Sequence, residues 1–308
     1  MADNSSNGKI KIAFQDEYIL RLPKDHKFPI SKYRLIPETL MNEGTITEHN
    51  IFAPGKGNRD IVELTHTNEY VSRLVNNQIT DREIRRIGFP YSKELVEREF
   101  IIAEGTVQGA LHAMESGVAF NVAGGTHHAY ANRGEGFCIF NDVAVAANYL
   151  RNKKIVKKIL VVDLDVHQGN GTAVLFQGNN DVYTFSMHGV SNYPLKKEES
   201  DFDVPLKDGT DDDGYLFLLK QILPKLIKEV KPEFIFYIAG ADVLSTDKWG
   251  RLALTHEGAK RRDKFVFREA KKQGIPVFVS MGGGYSPNIE HIVEAHCNTY
   301  RLAFEIYQ

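Results

Sequence analysis

The stretch "VVDLDVHQGNG", Val161–Gly171, places two aspartates, a histidine and an asparagine directly behind a run of apolar residues. Residues two apart on an extended segment point the same way, so Asp165 and His167 offer one oxygen and one nitrogen donor on one face. Asp242, in "GADVL" behind another apolar run, can supply a third donor. Two carboxylates and one imidazole leave an open coordination position, which a catalytic zinc requires. Taken singly, each residue reads equally well as a helix cap or a satisfied polar side chain. Taken together behind core strands, the three point to a metal.

His127 and His128 are adjacent, so one ion could hardly take both. Imidazole titrates near neutrality, and the pair suits general acid and base work. Each ring needs a partner on its far nitrogen, and Asp163 and Asn170 are at hand in the same stretch. Tyr285 follows Gly282–Gly284, where a permissive backbone lets a phenol reach a developing oxyanion. An ordinary rim tyrosine after a glycine turn is the competing reading. Neither the dinucleotide fingerprint nor the Walker pattern is present, which argues against a phosphate-binding loop.

These residues need elements to hold them. Strand-length apolar runs occur at Ile10–Phe14, Val118–Val122, Ile159–Val162, Val182–Phe185, Phe234–Ala239 and Pro276–Ser280. Their apolar residues are consecutive, as expected when both faces of a sheet are covered. Helical patterns lie between them at Ser92–Glu115, Asp142–Arg151, Asp212–Val230, Thr255–Gln273 and Pro287–Ile306. Ser92 reads as a cap, and Gly274 with Pro276 as a stop. This alternation predicts an α/β fold, a single doubly wound, mostly parallel sheet with helices on both faces. One domain is expected over 1–308, with residues 1–8 a flexible tail. In such sheets ligands bind beyond the carboxyl ends of the strands. The clusters "GGTHH", "DLDVHQGNG", "SMHG", "GADVL" and "MGGGYS" each follow a run, so they should meet in space.

Composition sets the outer bounds. The 308 residues are 42% hydrophobic and 25% charged, with a formal net charge of −2. That balance offers no electrostatic footprint for nucleic acid. Lys153, Lys154, Lys157 and Lys158 read as the basic end of a helix. The two cysteines, Cys138 and Cys297, have no ligand-like spacing and fit a reducing compartment. The opening "MADNSSNGK" has no signal-peptide core, and no run is long enough to span a membrane. A cytoplasmic location is expected, with no membrane partner.

With these motifs in view, "GGTHHA", "GFCIFND", "DLDVHQGNGT", "GADVLSTDKWGRL" and "MGGGYS" in that order, the sequence resembles the zinc-dependent histone deacetylase family of the arginase/deacetylase fold. It is most similar to compact bacterial members resembling class IV. The resemblance implies zinc on Asp165, His167 and Asp242, with His128 as general base and then acid. It makes His127 an electrostatic partner oriented by Asp163, and gives Tyr285 the acyl carbonyl. It further implies that the backbone of Gly136 receives the substrate amide, that Phe137 lines a narrow tunnel facing Tyr193, and that Arg34 belongs to an internal product channel. A structural potassium would use Asp163, Asp165, His167, Ser186 and Met187. Two departures stand out: Asn170 replaces a commoner aspartate behind His128, and no rim aspartate is found before Phe100.

The implied substrate is an acyl-lysine protein or peptide, or another acylated amine. Acetylpolyamine and long-chain fatty-acyl hydrolysis remain open, as does a catalytically silent acyl-lysine binding module. A dinuclear manganese ureohydrolase is disfavoured, because Gln168 and Asn170 stand where a second metal would need carboxylates.

Overall fold

Apolar runs form strands here because each is sealed on both faces. In the computed structural model, which describes residues 9–308, the strands are β1 (Lys11–Ala13), β2 (Ile51–Phe52), β3 (Val118–Asn121), β4 (Ile159–Asp163), β5 (Val182–Gly189), β6 (Phe202–Leu206), β7 (Phe234–Ile238) and β8 (Val277–Ser280). They make one sheet in the order β2-β1-β3-β8-β7-β4-β5-β6, with every neighbouring pair parallel. Every residue of β3, β4, β7 and β8 is buried, as befits central strands of a covered parallel sheet. The expected tail at residues 1–8 lies outside the described residues.

The helices are α1 (Lys32–Asn42), α2 (Arg59–Val62), α3 (Asn68–Val75), α4 (Asp81–Ile87), α5 (Lys93–Ser116), α6 (Asp142–Asn152), α7 (Asn170–Phe176), α8 (Asp212–Val230), α9 (His256–Lys272) and α10 (Ile289–Tyr307). Ser92 caps α5 as expected, its hydroxyl accepting from the Leu95 amide at 3.0 Å. Such a cap contributes about 1 kcal/mol. Gly274, in the left-handed region at φ 66°, turns the chain after α9. Among the described residues no helix is long and apolar enough to cross a membrane.

The two edge strands were not expected from the sequence. β2 has only two residues, and β6 alternates exposed and buried positions around Pro205, a residue suited to sheet edges. Pairing with β6 also carries β5 beyond Phe185 to Gly189. "SMHG" therefore forms the end of a strand and not the loop after one.

A candidate metal-dependent active site

β3, β8, β7, β4 and β5 are consecutive in the sheet, so the five polar clusters meet along one edge. From the β4 and β7 ends, Asp165, His167 and Asp242 converge, all buried. His167 Nδ1 lies 3.0 Å from Asp165 Oδ1 and 3.1 Å from Asp242 Oδ2. A tetrahedral ion with bonds of about 2.0–2.1 Å has donor–donor edges of about 3.3 Å, close to this spacing. The remaining carboxylate oxygens are held by amides: Gly283 donates to Asp165 Oδ2 at 2.7 Å, and Val166 to Asp242 Oδ1 at 3.0 Å. Position 283 must be glycine, because a Cβ there would overlap the Asp242 carboxylate.

The charge balance asks for a cation. Burial disfavours a charged imidazole at His167, but hydrogen bonds to Asp165 and Asp242 outweigh it and lift the ring to about 10. Burial and the neighbouring Asp165 charge likewise push Asp242 up to about 7. Two buried carboxylates around one imidazole therefore capture a proton or a metal ion, and the nitrogen–oxygen donor set suits zinc.

His127 and His128 follow β3 on a loop anchored by the buried Asp142. Its Oδ1 accepts from the Thr126 amide at 2.8 Å and hydroxyl at 2.6 Å, and its Oδ2 accepts from Thr106 at 2.8 Å. The two rings face one another, Nε2 to Nε2, at 3.2 Å. Their backing differs: His127 Nδ1 meets Asp163 Oδ2 at 2.7 Å, whereas His128 Nδ1 meets Asn170 Oδ1 at 2.6 Å. Burial favours neutral rings in both places. At His127 the Asp163 carboxylate wins, and the ring rises to about 9. At His128 burial and the charges on His127 and His167 prevail, and the ring stays well below its ordinary range. The pair thus holds one proton between the two Nε2 atoms, carried by His127, with the neutral His128 as its acceptor.

Tyr285 comes from the loop after β8, its amide donating to Asp247 Oδ2 at 2.6 Å. Burial and the carboxylates of Asp242 and Asp165 keep its phenol protonated, so it can only be a donor to a forming anion. A narrow cavity runs past His127, His128, Asp165, His167 and Tyr285 toward Phe28, Tyr33 and Ile102. Its outer mouth is lined by Gly136, Phe137, Tyr193, Trp249 and Arg251.

Phe137 is held at φ 64°, the left-handed region that a bulky residue rarely adopts. Hydrogen bonds donated by the Gly136 amide to the Arg86 carbonyl and by the Phe137 amide to that of Ile87 hold it there, at 3.0 and 2.7 Å. The ring opposite is Trp249, nearly parallel to Phe137 at 6.0 Å. Tyr193, expected as the facing wall, lines the same mouth and stands edge-on to His128 at 5.0 Å.

Arg34 is corrected. Its side chain is 54% exposed and lies 3.9 Å from Asp16, on the outside of α1. The arginine lining the cavity is Arg98, on α5, bonded to the Tyr18 carbonyl at 2.7 Å and paired with Glu99. Two residues before Arg34, Lys32 points inward, its ammonium 2.9 Å from the Gly282 carbonyl. Helical periodicity places Lys32 and Arg34 on different faces, but motif alignment alone does not say which face is inner.

The residues expected around potassium are neighbours too. Asp163 and Ser186 are register partners across β4 and β5, and the Ser186 hydroxyl is 2.9 Å from His188 Nδ1. No carboxylate lines the mouth among the described residues, in keeping with the absent rim aspartate. Asp142, Glu135, Trp249 and Arg98 were missed by sequence reasoning. "GFCIFND" and "STDKWGRL" contain Asp142 and Trp249, but nothing in their spacing separates a buried anchor or a tunnel wall from a loop residue.

The Histone deacetylase domain family matches residues 26–300. An uncharacterized protein of Picosynechococcus is 40% identical over 296 residues, covering 96% of this chain and 99% of its own. Histone deacetylase 2 of Arabidopsis thaliana is 29% identical over 298 residues, or 92% of this chain and 77% of that protein. The crystal structure of an HDAC homolog complexed with SAHA superposes with a TM-score of 0.80 at 27% identity, covering 96% of this chain and 84% of its own.

Proposed function

This chain belongs to the histone deacetylase family, and from that premise we propose that residues 9–308 form one domain acting as a zinc-dependent amidohydrolase, which removes an acetyl group from the ε-amine of lysine. The observation that carries the reading is the buried Asp165, His167 and Asp242 triad with its donor spacing near 3 Å. When bound there, zinc supplies Lewis acidity for a carbonyl and acidifies water. His128 accepts the proton of the attacking water at Nε2, which carries no hydrogen of its own because Nδ1 donates to Asn170. Tyr285 donates to the oxygen on which negative charge develops. His128 then returns its proton to the departing amine, while His127, oriented by Asp163, holds its own proton throughout. Phe137 and Trp249 flank the aliphatic stem of the lysine, and the Gly136 carbonyl receives its amide.

Acyl-lysine is favoured over acetylpolyamine because the lining of the mouth includes no carboxylate among the described residues, Asp208 being paired to Arg251, which suits a polycation poorly. A short acyl group is favoured because the narrow cavity shares its lining with charged Arg98. Potassium beside Asp163, Asp165, His167, Ser186 and Met187 is part of the same proposal. A cytoplasmic location fits the two free, buried cysteines, Cys138 and Cys297.

Turnover of acetyl- through myristoyl-lysine peptides alongside acetylpolyamines tests the reading. Acetyl-lysine should give the highest kcat/KM. A preference for acetylpolyamine or myristoyl-lysine would replace the substrate, and no turnover by zinc-loaded protein would favour a binding module.

A further inference from the structure

His128 is backed by an amide, and an amide can present either its oxygen or its NH2 to a ring. What fixes the choice lies one residue further out. Glu135 is buried, and its Oε1 accepts from Asn170 Nδ2 at 2.8 Å and from the Tyr193 hydroxyl at 2.7 Å. The second Asn170 N–H donates to the Tyr130 hydroxyl at 2.9 Å, and Tyr130 donates in turn to Glu198 at 3.1 Å. A carboxylate only accepts, so the Asn170 NH2 must face Glu135 and its oxygen must face His128. That oxygen also only accepts, so His128 must carry its hydrogen on Nδ1, leaving Nε2, which faces His127, without one of its own.

We propose that Glu135 is a positioning residue that, through Asn170, fixes the ring orientation and tautomer of His128 and, through Tyr193, ties the tunnel side to the same base. Three observations support a dedicated role. Glu135 directly precedes Gly136 and Phe137 in the turn that forms the tunnel wall, and the Cys138 amide closes that turn on the Glu135 carbonyl at 2.9 Å. Its outer oxygen faces Arg133 at 3.5 Å, which offsets the cost of a buried anion. Tyr193, the other group it holds, packs at 88° against the His128 ring. The carboxylate that many family members place in contact with the base therefore stands one residue behind an amide.

The inference rests on His128 being the base, so His128→Ala is measured in parallel. The test is a cycle of isosteric exchanges: Asn170→Asp, Glu135→Gln and the double variant, with Glu135→Ala added. Readouts are kcat and KM on an acetyl-lysine peptide, zinc content and melting temperature.

Asn170→Asp alone sets two carboxylates against each other and should lower kcat. The double variant restores a donor–acceptor pair, with the new aspartate accepting from both His128 and the new glutamine, and should recover most of the loss. Glu135→Ala should lower kcat by about 10- to 100-fold, the scale for supporting partners of an active site, with a smaller change in KM and zinc retained. Glu135→Gln, whose oxygen can still accept from Asn170 and Tyr193, should fall between wild type and Glu135→Ala.

The proposal is overturned if Glu135→Ala keeps wild-type kcat, or if the double variant is no better than Asn170→Asp. It is also overturned if Glu135→Gln is as impaired as Glu135→Ala. An active His128→Ala would instead overturn the assignment of the base, whatever Glu135 does.

Discussion

At the floor of the cavity Asp165, His167, Asp242, His127 and His128 sit at or just beyond strand ends, buried and bonded on their outer atoms. At the mouth Phe137, Tyr193, Trp249 and Arg251 sit on loops, with aromatic faces exposed to the tunnel and Arg251 paired to Asp208 at 3.2 Å in solvent. The floor has few ways to rearrange, because moving one carboxylate strands an amide or a histidine. The mouth, apart from Tyr193, which is bonded to Glu135, can change a side chain at little cost to its neighbours. Chemistry should therefore be sensitive to single atoms at the floor, and selectivity should be adjustable at the mouth.

The largest expected effect is at the base. His128→Ala should nearly abolish turnover while zinc content stays at wild-type level, and His127→Ala should cost less. General-base contributions are typically about 10²- to 10⁴-fold, so an active His128→Ala would break the floor's side of the comparison. Tyr285→Phe comes next. One oxyanion donor is worth roughly 2.7–4 kcal/mol, so kcat should fall by about 10²- to 10³-fold with substrate binding intact. Steady-state kinetics with an inhibitor titration separates the two.

A smaller effect should appear in the pH profile. The base must be neutral to act, and burial with the neighbouring His127 charge lowers the His128 value. Activity should therefore persist below the ordinary histidine value of about 6.5, and the acidic limb of kcat/KM should lie beneath it. An acidic limb near 9 would point to His127, whose ring is raised by Asp163.

At the mouth, Trp249→Ala should raise KM for acetyl-lysine peptides more than it lowers kcat. Arg251→Glu should shift kcat/KM toward acetylpolyamines by a few-fold, about 1 kcal/mol for a solvent-exposed charge. Equal losses in kcat at mouth and floor would erase the distinction.

The same division decides what could be read without coordinates. Floor residues follow buried apolar runs, and parallel-sheet topology brings such positions together, so Asp165, His167, Asp242 and the histidine pair were legible from spacing. Their partners Asp163 and Asn170 were at hand in the same stretch, and the resemblance said which ring each one backs. Mouth residues depend on how loops fold back. Trp249 reaches Phe137 from the loop after β7, two strands away from β3, and Tyr193 turns toward Glu135, neither of which leaves a periodic trace. Arg34 failed for a related reason, since a motif match cannot tell which face of α1 is inward. β2 and β6 escaped because edge strands need no continuous apolar run.

The most direct test is zinc titration of metal-stripped protein, with acetyl-lysine peptide hydrolysis followed at each addition and His167→Ala as control. Activity should rise linearly and stop at about one zinc per chain, as a triad with a single open position requires, and the control should stay inactive. Full activity in the stripped protein, or a requirement for two ions per chain, would contradict the account.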